Sequence, residues 1–212
     1  MDIARYLSKK LVDQLKHNYV HILFGARQTG KTTLLKAILK PELSYNLADP
    51  EERSRLLAQP GLFRRECEAL PVRAGRTTVF VDEAQLVPSV FDAIQVLYDQ
   101  EPNRFLFVLC GSSARKLRES GANLLPGRSL LHRLHPLMLC ERPGPGGFQP
   151  RVEVLPMTDF QASLNSDEDL LDRLAYGDLP GVLNAPVEVR ESLLRSYATI
   201  YLEEEIRREG YV

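Results

Sequence analysis

Nowhere in this chain do apolar residues run on for the eighteen or so positions that a membrane-spanning helix needs, so no membrane segment is expected. The opening residues Met1-Asp2-Ile3-Ala4-Arg5-Tyr6 carry an early acid and no continuous apolar stretch, which is unlike a secretion signal, and the expected location is the cytoplasm. Cysteine is scarce. Cys67, Cys110 and Cys140 are an odd set without paired spacing, which argues against a disulfide framework and favours buried free thiols. Histidine is almost as sparse, and neither His17/His21 nor His132/His135 has a cysteine or carboxylate at zinc-ligand spacing. Excess charge is missing too: 27 basic against 28 acidic side chains leave a formal net charge of −1, so no chain-wide field draws the protein to nucleic acid. Internal repeats and low-complexity tails are absent.

What remains is a globular composition, 212 residues with 44% hydrophobic and 26% charged side chains, enough for one large domain or a core plus a smaller unit. Near its start stands one informative stretch. Val20-His21-Ile22-Leu23-Phe24 is an apolar, strand-like run, and it feeds Gly25-Ala26-Arg27-Gln28-Thr29-Gly30-Lys31-Thr32-Thr33. Two glycines bracketing four residues let the backbone bend around a phosphate chain with its N–H groups turned inward. Lys31 supplies a point charge for the β- and γ-phosphates, and Thr32 a hydroxyl for Mg²⁺. A helix from Thr32 onward aims its positive dipole end at the same anion. In Arg27 the amide matters more than the side chain, which is expected to point outward.

The rest of the chain alternates helices with buried strands. Ile3, Leu7, Leu11 and Leu15 predict an amphipathic helix over 2–16. Strands are expected at 43–47, 77–83, 105–110 and 131–137. Helices are expected at 50–59, opened by Asp49-Pro50-Glu51-Glu52, at 61–70 and at 90–100. The alternation predicts an α/β fold with a mostly parallel sheet and right-handed crossovers. Composition changes at Arg142-Pro143-Gly144-Pro145-Gly146-Gly147, read as a hinge or insert, and helices follow at 167–176 and 187–208. The expected division is a core carrying the phosphate loop over 1–140 and a hinge with helical segment over 141–212.

Thr77-Thr78-Val79-Phe80-Val81 ends in Asp82-Glu83, fifty-one residues beyond Lys31. A carboxylate at the end of a buried strand can hold Mg²⁺ opposite the Thr32 hydroxyl, and Glu83 can orient or deprotonate a water attacking the γ-phosphate. Ser112 and Ser113 after the 105–110 strand read either as a polar sensor of the γ-phosphate or as caps of the next helix. Arg128 reads either as an arginine that stabilises transition-state charge, within the chain or across an interface, or as a solvated loop residue. Arg115, Lys116 and Arg118 make only a small basic cluster.

Taken in order, Gly25–Leu35, Phe80-Val81-Asp82-Glu83-Ala84-Gln85, Gly111-Ser112-Ser113-Ala114-Arg115-Lys116-Leu117, Gly127-Arg128 and His135-Pro136-Leu137 resemble the prokaryotic AAA+-type ATPases that precede a C-terminal domain of unknown function. Gly177-Asp178-Leu179-Pro180 and the segment 197–206 resemble that family's small helical segment. The resemblance implies a P-loop NTPase αβα sandwich with five strands and a helical lid, ATP and Mg²⁺ as cofactors, and hydrolysis to ADP and phosphate. It also implies that the chain corresponds to an N-terminal ATPase portion, with nucleic acid a partner only through the further C-terminal region. The insert at 143–150 departs from the family pattern. An ATPase module coupled to a protein partner, in a homo-oligomer or alone, is the leading expectation; a nucleotide-gated switch with negligible turnover is the alternative. A two-domain helicase, hinted at by Asp82-Glu83-Ala84-Gln85, lacks room for its second motor domain.

Overall fold

A computed structural model describes residues 3–112, 124–138, 141 and 167–201. The described chain forms two compact units, Leu7–His135 and, separately, Met1–Tyr6 with Pro136–Val212. The first six residues group with the later unit.

The larger unit is built on five strands: β1 (Val20–Phe24), β2 (Leu43–Asn46), β3 (Thr77–Asp82), β4 (Phe105–Gly111) and β5 (Ser129–Arg133). Their order is β2-β3-β4-β1-β5 and every pairing is parallel. Apolar residues line both faces of the central strands, as a doubly covered parallel sheet requires. Alternation along each strand sends one set to each side. Ile22, Val81, Phe107 and Leu109 join a core with Leu56, Phe63, Phe91, Ile94 and Leu97. These last come from α3 (Pro50–Ala58), α4 (Leu62–Glu68) and α5 (Ser89–Gln100). Leu23, Phe80, Val108 and Cys110 face the other way, against Leu11, Leu34 and Leu35. Those belong to α1 (Leu7–Gln14) and α2 (Lys31–Ile38). Helix, sheet and helix make three layers, the αβα sandwich expected.

The elements differ from expectation mainly at their ends. The first helix begins at Leu7 rather than 2 and stops at Gln14. β5 runs over Ser129–Arg133, two residues earlier than expected at its start and four at its end. It is in register with Val20–Phe24, and β1 turns into the glycine loop after Phe24. With no partner strand beyond that point, Leu134 makes one last bond to the Phe24 carbonyl at 2.7 Å, and Pro136 has no N–H to continue. α3 begins as predicted: the Asp49 side chain accepts from the Glu51 N–H and Pro50 takes the first helical position.

In the other unit α6 (Asp167–Tyr176), α7 (Pro180–Leu183) and α8 (Val187–Tyr201) are described. α7 was not anticipated. Pro180 sits in its first turn, where a missing N–H costs nothing. Arg190 of α8 joins the three by bonding Asp172 Oδ1 at 2.9 Å and the Ala185 and Leu183 carbonyls at 3.0 and 2.9 Å. Glu141 is also buried here, where it pairs with Arg5 and accepts from the N–H groups of Tyr6 and Met138. The expected hinge at 142–147 lies outside the described residues. So do Ser113, Arg115, Lys116, Arg118, Cys140 and everything past 201.

The four histidines group differently from their sequence spacing. His21 on β1 and His132 on β5 are buried and stacked, with Nδ1 of one and Nε2 of the other 3.1 Å apart. Burial first, and then for His21 the neighbouring His132 ring and for His132 the charge of Lys10, lowers each pKa from 6.5 to about 4. The unfolded chain takes up protons below pH 6.5 that the folded chain refuses until about pH 4. The stability contribution is therefore complete above pH 6.5 and is lost as pH falls towards 4. Urea unfolding at pH 7.5 and at about 5.5 should differ by on the order of 1 kcal/mol for each ring. A profile flat over that interval would contradict the buried neutral pair.

Candidate nucleotide site

The carboxyl ends of β1, β3 and β4 meet around one polar cluster, with β4 lying between the other two. After Phe24 the chain enters the glycine loop. Gly25 is required by close approach: a Cβ there would stand 2.3 Å from the Leu134 carbonyl oxygen. Gln28 and Gly30 both adopt positive φ, 63° and 88°, a left-handed backbone that a glycine takes readily and a glutamine does not. Thr29 is fully buried and its hydroxyl donates to the Ala26 carbonyl at 2.9 Å, fixing the loop from within.

Lys31 folds back under the loop. Its ammonium donates to the Gly25 and Ala26 carbonyls at 2.9 and 3.1 Å, and the side chain is buried. Arg27 and Gln28 are exposed at the loop's crest. Gly30 precedes α2 without any side-chain cap, so the first N–H groups, including those of Thr32 and Thr33, have no side-chain acceptor from the capping position.

Asp82, at the end of β3, is buried and held by three donors. The Thr32 hydroxyl donates to Oδ2 at 2.8 Å, while the Cys110 thiol and the Glu83 N–H donate to Oδ1 at 2.7 and 3.0 Å. Burial, reinforced by the Asp82 charge, pushes the Cys110 thiol well above its ordinary range, so it stays a protonated donor. A hydroxyl and a carboxylate brought together at a helix start are hard oxygen ligands. They suit a divalent cation that keeps several water or phosphate ligands. No cluster of three or more His, Cys, Asp or Glu side chains able to hold a metal by themselves exists among the described residues. A hydroxyl beside a carboxylate fits Mg²⁺ carried in with a phosphate chain.

Glu83 leaves the strand in the left-handed region, with φ 54°. A non-glycine residue there is strained by about 1–3 kcal/mol and is met most often at functional sites. Its carboxylate accepts from the Gln85 side-chain amide, which also donates to the Ser112 hydroxyl at 3.2 Å. Gln85 and Cys110 escaped the sequence reading. Gln85 lay inside the quoted motif but has no charge to mark it, and Cys110 looks like any apolar strand residue.

Arg128 lies elsewhere. Its carbonyl accepts from Val20 at the amino end of β1, while the glycine loop leaves from the carboxyl end. The intervening strand covers roughly 16 Å. Its guanidinium makes two bonds to Asp99 of α5, at 2.6 and 3.1 Å. The structure thus places Arg128 at the end of β1 opposite to this chain's own phosphate loop. Arg133, opposite Phe24 in register and exposed, lies at the loop's end of the sheet.

A family model described as an AAA domain matches residues 17–142, which takes in all five strands and the whole cluster. The chain belongs to the AAA domain family. Two curated relatives of this AAA domain, the uncharacterized proteins Rv2008c of Mycobacterium tuberculosis (strain ATCC 25618 / H37Rv) and Mb2031c of Mycobacterium bovis (strain ATCC BAA-935 / AF2122/97), are each 35% identical over 111 residues. The match takes in 51% of this chain and 23% of each relative, so the chain spans about a quarter of their length. Among solved structures, C. elegans PCH-2 overlaps with a TM-score of 0.40 at 17% identity, over 64% of this chain and 44% of that one. The Pif1 helicase from Candida albicans overlaps with a TM-score of 0.41 at 13% identity, over 66% and 42%. Both overlaps are partial.

The crowding at Gly25 yields a direct test of the loop. Gly25→Ala forces either the loop or the Leu134 carbonyl aside, and overpacking of this kind costs about 1–3 kcal/mol. Urea unfolding should show that loss, whereas Gly127→Ala, whose added Cβ meets nothing within 4 Å, should pay only for its positive φ of 76°. Equal stability of Gly25→Ala and the parent would contradict the loop geometry.

Proposed function

We propose that this AAA domain binds ATP with Mg²⁺ and hydrolyses it to ADP and phosphate. The observation that carries the reading is the Thr32–Asp82 hydrogen bond, which brings the head of the phosphate-loop helix to the strand that ends in two acids.

On this reading the N–H groups of Gly25 through Thr33, including those of Ala26, Arg27, Gln28, Thr29 and Gly30, surround the phosphate chain. Lys31 exchanges a carbonyl partner for a phosphate oxygen. Thr32 and Asp82 hold Mg²⁺, which neutralises phosphate charge when bound. Glu83 orients a water and takes its proton as the water oxygen bonds to the γ-phosphorus. The bond from that phosphorus to the bridging oxygen breaks, and the electron pair leaves with ADP. Ser112 donates its hydroxyl hydrogen to a γ-phosphate oxygen. Arg128 enters only across an interface between copies, where a second chain's loop meets the amino end of β5; a homo-oligomer is part of the proposal to that extent. Coupling of nucleotide state to a protein partner belongs to it as well.

A second reading, a nucleotide-gated switch with negligible turnover, is favoured by one observation: the Glu83 carboxylate is already engaged by Gln85. Calorimetric titration and phosphate release together separate the two. Lys31→Ala should abolish ATP binding. Glu83→Gln should keep binding while phosphate release falls by about a hundredfold or more. Tight binding by the parent with no measurable phosphate release would decide for the switch, and undiminished release by Glu83→Gln would remove Glu83 from its role.

A further inference from the structure

Gln85 sits just past β3 in a short 3₁₀ turn, Ala84–Leu86, and is buried. Its amide orientation is dictated by its neighbours: a carboxylate can only accept, so Nε2 must face Glu83. The same nitrogen has a second N–H, which goes to the Ser112 hydroxyl oxygen at 3.2 Å. Both donors are thereby spent on two residues from different strands. Ser112, as the acceptor from Gln85, keeps its own hydrogen to donate elsewhere. Oε1 is left pressed towards the Gly111 backbone, buried, with no donor among the described residues.

That orphaned oxygen is the telling feature. A buried carbonyl without a partner costs about 1–3 kcal/mol, and an apolar side chain of the same length would fill the space without it. Residue 111 has given way to it as well, since any Cβ there would lie 2.3 Å from Oε1.

We propose that Gln85 is a positioning residue that couples Ser112 to Glu83, so that the contact made by the Ser112 hydroxyl sets the direction of the Glu83 carboxylate. The coupling rests on the ATPase reading above. Before phosphate is in place, Gln85 keeps one carboxylate oxygen of Glu83 occupied. When the Ser112 hydroxyl donates to a γ-phosphate oxygen, the shared amide moves with it, and the carboxylate turns to the water beside that phosphate. Gln85 itself exchanges no proton and touches no substrate.

Three variants of the full chain, Gln85→Leu, Ser112→Ala and the double Gln85→Leu/Ser112→Ala, test this by steady-state phosphate release, ATP titration and thermal unfolding. Gln85→Leu should lower kcat about tenfold or more, leave the affinity for ATP within about threefold, and leave the melting temperature equal or higher. If the residues act as one relay, the double variant should be no slower than the worse single variant by more than about twofold. Multiplying effects, or an unchanged kcat for Gln85→Leu, would overturn the coupling. Gly111→Ala offers a second route, because it displaces the amide without removing it and should reproduce the loss of kcat; it decides the matter if Gln85→Leu does not fold. The parent and Glu83→Gln serve as controls. Silence of the parent defeats the ATPase reading itself, whereas an active parent silenced by Glu83→Gln but indifferent to Gln85→Leu and Gly111→Ala defeats the coupling alone.

Discussion

Everything at the carboxyl edge of the sheet depends on the hydrogen bond from Thr32 to Asp82. β1 and β3 are not neighbours, for β4 lies between them, so the loop that follows one and the acids that end the other meet only by reaching over the third. Asp82 can be buried at that meeting point because Thr32, Cys110 and the Glu83 amide all donate to it. Three strands thus converge on one carboxylate, and the parallel register aligns all their carboxyl ends on the same edge.

That convergence also explains the strain nearby. The chain leaves β3 through Glu83 in a left-handed turn, and the next residues fold back so that Gln85 reaches both Glu83 and Ser112. The loop after β1 carries its own positive φ angles at Gln28 and Gly30. Of the three non-glycine residues at positive φ among the described residues, Gln28 and Glu83 stand at the site, supported by the close-packed strands beneath it, and Leu125 lies ahead of β5. Through the body of the larger unit apolar residues alternate between two cores, and helices cover both faces.

Sequence reading located the loop, the two acids and the layered fold because each leaves a local signature: glycine spacing, an apolar run ending in charge, helix and strand periods in alternation. Features that depend on strand order leave none. The parallel neighbours β1 and β5 are over a hundred residues apart in the chain, so the pairing of His21 with His132 and the crowding of Gly25 by Leu134 were invisible. Arg128 followed a glycine before a strand, an attractive place for a catalytic arginine, but the direction of β5 puts it at the far end from the loop. Gln85 and Cys110 carry no charge in their working state, and only the contacts they make distinguish them from packing residues. Where β5 stops was likewise set by the end of β1 rather than by the apolar pattern of 131–137.

If Thr32 and Asp82 together hold Mg²⁺ brought by a nucleotide, the stabilising effect of the cation must depend on the Thr32 hydroxyl. Thermal unfolding of the parent and of Thr32→Val, each with ATP in excess EDTA and with ATP in excess Mg²⁺, tests it most directly. ATP should stabilise both proteins, and Mg²⁺ should add a further increment to the parent, which Thr32→Val loses; saturation at a hundred times Kd corresponds to about 2.7 kcal/mol. No Mg²⁺-dependent increment in the parent, or an increment that survives intact in Thr32→Val, would contradict it.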